Sequence, residues 1–254
     1  YAGPVTLTTA LARSINTVTA QLIAEMGPKA VVRTAQRLGI TSPLQPNLSL
    51  SLGTSEVRPI ELVAAYAAFA NGGTGVIPYL IREVKTTDGK VLYKRTPTDL
   101  GRVIEPQHVA QMNMMLRQTL LTGTGRRAEL AGWEAAGKTG TSQEYRDAWF
   151  VGYTGSLVTG VWLGNDDSKP TKKASGANLP AEIWKNYMTA ALKGQAPVPL
   201  PGGPFNRLPP ADDEALVAEG GYAGALPPAA VGAAPAQAAA PQRQRGLLEM
   251  LFGG

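Results

Sequence analysis

The 254-residue sequence is 44% hydrophobic and 17% charged, enough for one sizeable core, and its longest strictly apolar run, residues 62–70, is far short of the roughly 20 residues a membrane span needs. Cysteine is absent and His108 is the lone histidine, which excludes disulfide scaffolds, thiolate–zinc sites, cysteine nucleophiles and multi-histidine metal sites. The formal net charge of +5 comes from scattered lysines and arginines rather than a basic stripe, so nucleic acid is not an expected partner. In chain order, residues 7–26 place Leu7, Leu11, Ile15, Val18, Leu22 and Met26 at steps of three and four, predicting a helix face. A second helix is expected over 28–38, opened by Pro28 and bounded by Gly27 and Gly39. Pro59 suits a first helical turn, and the helix it opens should stop at Asn71-Gly72. Residues 78–95 read as a hairpin about the Asp88-Gly89 turn. Pro106 opens a further helix carrying Val109, Met112, Leu116 and Leu120, with His108 as a surface or capping residue near its start. Aromatic and β-branched residues at 148–153 and 157–163, separated by Thr154-Gly155-Ser156, predict an antiparallel pair. A last helix over 180–192 puts Ile183, Trp184, Tyr187, Met188, Ala191 and Leu192 on one face. Hairpins interleaved with helices suggest an α+β fold, a mostly antiparallel sheet flanked by helices.

Residues 195–254 are different in kind. They hold half of the 20 prolines, runs of alanine and little apolar periodicity. Such a segment buries too little surface to offset its ordering entropy, so a disordered tail is expected after a folded body of residues 1–194. Three arginines against five carboxylates leave that tail at −2 and the body at +7. Residues 245–254 form a short apolar patch, either a docking element for a partner or a terminus with no role. The sequence opens at Tyr1 without Met or a leader-like stretch, so any signal or anchor is expected ahead of it.

Residues 132–139 satisfy the phosphate-loop pattern Gly-x4-Gly-Lys-Ser/Thr, with Gly132, Gly137, Lys138 and Thr139 in the required places. A phosphate loop needs a buried strand before it and a helix after it, so that the helix N-terminus meets the phosphates. Here a charged turn, Arg126-Arg127-Ala128-Glu129, precedes the pattern, and the strand-like Trp149-Phe150-Val151-Gly152-Tyr153 follows soon after. Nucleotide binding is therefore a remote alternative.

The same lysine begins Lys138-Thr139-Gly140-Thr141, and Ser14-Ile15-Asn16 lies upstream. Residues two apart on a continuous helix point about 200° apart, so Ser14 and Asn16 reach one site only if the helix breaks between them. Asn16 is a good cap for a new helix starting there. A Lys-Thr-Gly strand with a Ser-x-Asn element resembles the penicillin-binding proteins and serine β-lactamases. The resemblance extends to Leu52-Gly53-Thr54-Ser55-Glu56-Val57, to Ala64–Gly73, to Gly123-Thr124-Gly125, to Asp147–Tyr153 and to Thr159–Asp167. It covers roughly residues 1–194 and is nearest to class A, bifunctional penicillin-binding proteins of Gram-negative bacteria. Two departures stand out. Residues 175–180, Ser-Gly-Ala-Asn-Leu-Pro, carry less glycine than is usual, and no serine here has a lysine three residues later.

The resemblance implies a three-layer transpeptidase fold and a peptidoglycan DD-transpeptidase that acts on D-Ala-D-Ala stem peptides and is acylated by β-lactams. It implies catalytic roles for Ser14, Asn16 and Lys138, and substrate binding by Thr139, Gly140 and Thr141. No metal or organic cofactor is implied. Cell-wall synthesis proteins become candidate partners, and the periplasmic face of the inner membrane the expected location, through an anchor outside this sequence. The Ser-x-x-Lys nucleophile and a glycosyltransferase domain are expected ahead of Tyr1, so this sequence alone is expected to be inactive. A noncatalytic peptidoglycan- or partner-binding module is the alternative.

Overall fold

Prolines set where the longer helices begin. The computed structural model describes residues 3–203. In chain order these form α1 (Leu7–Ala12), α2 (Asn16–Met26), α3 (Pro28–Arg37), α4 (Pro59–Ala70), β1 (Thr74–Val76), β2 (Glu83–Lys85), β3 (Val91–Lys94), β4 (Asp99–Arg102), α5 (Pro106–Leu121), β5 (Ala136–Thr141), β6 (Asp147–Tyr153), β7 (Val158–Gly164) and α6 (Leu179–Ala191). Pro28, Pro59, Pro106 and Pro180 each stand in a first turn, where the missing N–H forfeits no helical bond and the fixed φ favours the helix. The expected face over 7–26 is split between α1 and α2. Leu7 and Met26 on that face are exposed, and the residue α2 buries is Ile23.

Strands β5, β6 and β7 pair antiparallel in that order. The expectation of two central strands is corrected: among the described residues β6 alone is flanked on both sides, with β5 at the edge as expected. Alternation along β6 sends its two faces into separate cores. Phe150 meets Trp184 of α6 edge-on at 5.2 Å between ring centroids. Trp184 is fully buried, and its Nε1 donates to the carbonyls of Gly152 at 3.2 Å and Thr159 at 3.1 Å. A Cβ on Gly152 would lie 2.8 Å from the Trp184 ring, so only glycine admits the helix so close. On the opposite face Tyr153 packs against Tyr66 and Phe69 of α4, and its hydroxyl donates to Asn113 Oδ1 of α5 at 2.6 Å. The result is three layers, with α6 on one side of the sheet and α4 and α5 on the other. Each large apolar side chain buried this way contributes about 2–3 kcal/mol.

The hairpin about Asp88-Gly89 forms as β2 and β3, with Gly89 at φ +88. The pairing of β1 with β4 had no sequence signal: the strands are three and four residues long and contain Gly75 and Gly101 in place of alternating apolar residues.

The boundary at residue 194 is a second correction. Leu200 is 1% exposed and belongs to the core around Tyr153 and Leu116. Its N–H donates to Glu134 Oε2 at 3.1 Å, and Asn113 Nδ2 donates to the Pro201 carbonyl at 2.9 Å and to that of Phe69 at 3.0 Å. Composition hides this segment because one leucine and two backbone groups do the anchoring, with no periodic run. The rest of the expected disordered tail, and the apolar patch at 245–254, lie outside the described residues. Leu200→Ala should cost about 2–4 kcal/mol by urea denaturation, the range for an emptied buried leucine site. An unchanged midpoint would mean that residues 195–203 do not pack on the body.

Candidate active site

The helix break that the Ser-x-Asn element demands is built from backbone alone. After α1, the Ser14 N–H donates to the Leu11 carbonyl at 3.1 Å and the Ile15 N–H reaches back to the Ala10 carbonyl at 2.9 Å. These are the two bonds of a Schellman ending, whose turning residue adopts the left-handed conformation and is usually glycine. Here that residue is Ser14, at φ 57. A side chain at such a φ costs roughly 1–2 kcal/mol, and strain of this kind gathers at working sites. The turn exposes the Ser14 side chain and starts α2 at once. Asn16 is therefore the first helical residue and not the cap. Ile15 is the cap, in extended conformation and with no side-chain hydrogen bond, because its N–H is still tied to α1.

Strand β5 brings the second half of the site. Lys138 pairs with Val151 of β6, Thr139 with Phe150 and Gly140 with Trp149, so the whole Lys-Thr-Gly segment is held in register. Lys138 Nζ donates to Ser14 Oγ at 2.9 Å, joining residues 124 positions apart. It also donates to the Thr139 carbonyl at 3.2 Å and reaches Thr139 Oγ1 at 3.4 Å. No carboxylate is among these partners. Burial is accordingly unopposed and lowers the Lys138 pKa to about 8, leaving the side chain mostly protonated at neutral pH yet an easier proton donor than an ordinary lysine.

Two further segments hold β5, and their roles were not legible as site features. Beyond α5, the Thr124 N–H donates to the Ala12 carbonyl at 3.0 Å, and Thr124 Oγ1 lies 2.7 Å from Thr139 Oγ1. A Cβ at Gly123 would fall 2.1 Å from the Ala12 carbonyl oxygen, which explains the glycine. At the other end of β5, Thr141 Oγ1 accepts from the Gly176 N–H at 3.0 Å. A Cβ on Gly176 would lie 2.6 Å from the Gly140 carbonyl oxygen, so the loop over 173–178 lies directly on the strand.

The structure thus brings Ser14, Lys138 and Thr139 together and places Gly140 and Thr141 further along the same strand. Asn16 is exposed, one residue beyond the Ser14 turn, without a side-chain hydrogen bond. His108 is on the surface of the first turn of α5, beside Gln111 at 3.1 Å. The phosphate-loop alternative is contradicted. Lys138 and Thr139 lie inside a strand, and no helix N-terminus follows them. A strand has no cluster of convergent free N–H groups to hold a phosphate.

A lysine strand closed against a strained serine turn, on a three-layer α+β body, is the arrangement of the serine acyl-transfer enzymes that bind penicillin. The chain belongs to the penicillin-binding protein transpeptidase family, and its residues 1–189 match that domain. It is 41% identical over 192 residues to penicillin-binding protein 1A of Aquifex aeolicus, covering 75% of this chain and 26% of that protein. Against penicillin-binding protein 1A of Neisseria cinerea the identity is 35% over 201 residues, 76% of this chain and 25% of that one. The chain therefore spans about a quarter of the length of these relatives. Among solved structures, penicillin-binding protein 1A of Haemophilus influenzae superposes with a TM-score of 0.73 at 25% identity, covering 79% of this chain and 36% of that one. PonA1 of Mycobacterium tuberculosis, solved in complex with penicillin V, gives 0.69 at 31% identity, covering 77% and 58%.

Strain at Ser14 is open to direct measurement. Ser14→Gly and Ser14→Ala both delete the hydroxyl, but only glycine relaxes φ 57. The glycine variant should exceed the alanine variant by about 1 kcal/mol in denaturant unfolding. Equal stabilities would mean that the left-handed turn is not strained.

Proposed function

We propose that this chain forms the Lys-Thr-Gly and Ser-x-Asn side of a peptidoglycan DD-transpeptidase site, one that β-lactams acylate. The observation that carries the proposal is the 2.9 Å contact of Lys138 Nζ with Ser14 Oγ, which makes one proton-conducting unit of the two motifs. The nucleophile is a serine of a Ser-x-x-Lys segment supplied by sequence outside these 254 residues, none of whose serines is followed by lysine three positions on. In the same reading the longer protein carries a glycosyltransferase domain and sits at the periplasmic face of the inner membrane.

The chemistry sets the roles. The serine Oγ attacks the carbonyl carbon of the penultimate D-Ala, its proton passes to the adjacent base, and an O–C bond forms as a tetrahedral oxyanion develops. Collapse breaks the C–N bond, and the departing D-Ala amine takes a proton relayed through Ser14 Oγ. An amine of a neighbouring stem peptide then attacks the acyl ester and restores the serine, its own proton leaving by the same relay. Lys138 keeps a positive charge beside the nucleophile, which favours the alkoxide and attracts the substrate carboxylate. Asn16 presents its amide to the peptide backbone, and Gly140 lets the peptide lie close against β5. Thr139 and Thr141 offer hydroxyl donors to the terminal carboxylate. The Thr141 N–H suits the oxyanion, where a fixed donor acts on charge that appears only in the transition state.

Fluorescent penicillin tests this reading in gel time courses. The 254-residue chain alone should not label, and the longer protein with its Ser-x-x-Lys segment should. In that longer protein Lys138→Ala should slow labelling by roughly 100-fold or more, as for loss of one charged stabilising group, and Lys138→Arg should recover part of it by restoring charge without geometry. Stoichiometric labelling of the bare chain would overturn the missing nucleophile. Wild-type rates for Lys138→Ala would remove β5 from the site.

A further inference from the structure

Gly123-Thr124-Gly125 matches the family but has no role in the chemistry above, and its geometry is specific. The segment is wedged between the end of α1 and strand β5. Its backbone is fixed on one side by the Thr124 N–H to the Ala12 carbonyl and by the Gly125 N–H to the Thr119 carbonyl at 2.9 Å. Its glycines are compelled by contact: a Cβ at Gly123 would strike Ala12, and one at Gly125 would come within 3.2 Å of Phe150 and Thr119. The side chain left between them, half-buried, is a single hydroxyl aimed at Thr139 Oγ1 at 2.7 Å.

We propose that Thr124 is a positioning residue that fixes the Thr139 hydroxyl as a donor toward the carboxylate of the bound ligand, and so enforces selectivity for carboxylate-bearing substrates. The inference rests on the transpeptidase reading above. A hydroxyl has two lone pairs and one hydrogen. Lys138, which has no acceptor, can only donate, and its Nζ approaches Thr139 Oγ1 at 3.4 Å. When Thr124 also donates to Thr139 Oγ1, both lone pairs are engaged and the Thr139 hydrogen is left for the cleft. Donation into an oxygen polarises its own O–H, which strengthens the bond that O–H makes to an anion. Without the Thr124 hydroxyl, Thr139 is free to rotate and to turn its lone pairs toward the carboxylate. Because Thr124 is tethered to Ala12, two residues before Ser14, the same bracket also ties the serine turn to β5.

The test compares acylation of the longer protein, with its Ser-x-x-Lys segment, by benzylpenicillin and by the methyl ester of benzylpenicillin. Thr124→Val keeps the shape and removes the hydroxyl. It should lower the second-order acylation rate for the free acid by about tenfold, the worth of one hydrogen bond to a charged group, and leave the ester rate within about twofold. Thr124→Ser should retain the wild-type rate with the acid. Thr139→Val should give the same acid-selective loss, and adding Thr124→Val to it should cost no more than about twofold further, because the two act as one unit. Melting temperatures identify a variant that fails to fold, in which case Thr124→Ala is read in the same way. Equal losses with acid and ester, a wild-type rate for Thr124→Val with the acid, or additive losses in the double variant would each overturn the proposal. Lys138→Ala in parallel separates the two levels. If it labels at the wild-type rate, the active-site reading falls and the Thr124 role with it; if it is slow while Thr124→Val is not, only the Thr124 role falls.

Discussion

Everything distinctive about this site depends on one hydrogen bond, from Lys138 Nζ to Ser14 Oγ. Its two ends belong to parts of the chain with nothing in common locally, a helix–helix turn and a sheet edge. For the bond to form, the turn must throw Ser14 outward and the edge must hold Lys138 within reach. The first is achieved by a Schellman ending that forces a serine into a glycine conformation. The second follows from register, since Lys138 is locked opposite Val151 and cannot slide without reversing every face of β5.

The packing supports that geometry from both sides of the sheet. Phe150 and Trp184 anchor one face, and Tyr153 with Asn113, Phe69 and Leu200 anchors the other. Close approaches that tolerate no Cβ, at Gly123 against Ala12, at Gly152 against Trp184 and at Gly176 against Gly140, replace adaptable side-chain contacts with backbone ones. Such contacts have little freedom to relax, so the strand, the serine turn and the loop over 173–178 behave as one frame. A lysine amine held in such a frame, without a carboxylate beside it, stays partly desolvated. That environment is what lowers its pKa.

Much of this was legible in the sequence, and what was not has physical causes. Proline at a first turn fixes helix starts locally, so α3, α4, α5 and α6 fell where expected. Aromatic and β-branched runs separated by Thr154-Gly155-Ser156 gave β6 and β7 for the same reason. The cap at Asn16 slipped by one residue because a reach-back hydrogen bond from Ile15 to α1 decides it, and such a bond has no sequence signal. The packing of Leu200 and the bracket at Thr124 depend on contacts made across 66 and 15 residues. A single leucine among prolines, or a threonine between glycines, looks like loop until its partner is known. The phosphate-loop pattern failed in the opposite way: its letters matched, but the backbone beneath them is a strand.

The state of Lys138 itself gives the most direct test. A lysine whose burial lowers its pKa to about 8 from the ordinary 10.5 loses its proton in the folded protein while the unfolded chain still holds it. Its burial therefore destabilises the fold fully below pH 8, and stability should rise as pH climbs from about 8 toward 10.5. Carbon-13 labelling of lysine Cε, with Lys138→Ala to assign the signal, reads the titration by NMR. The account predicts a midpoint near 8. A midpoint near 10.5 would contradict it, because a lysine titrating like one in water is not enclosed beside Ser14.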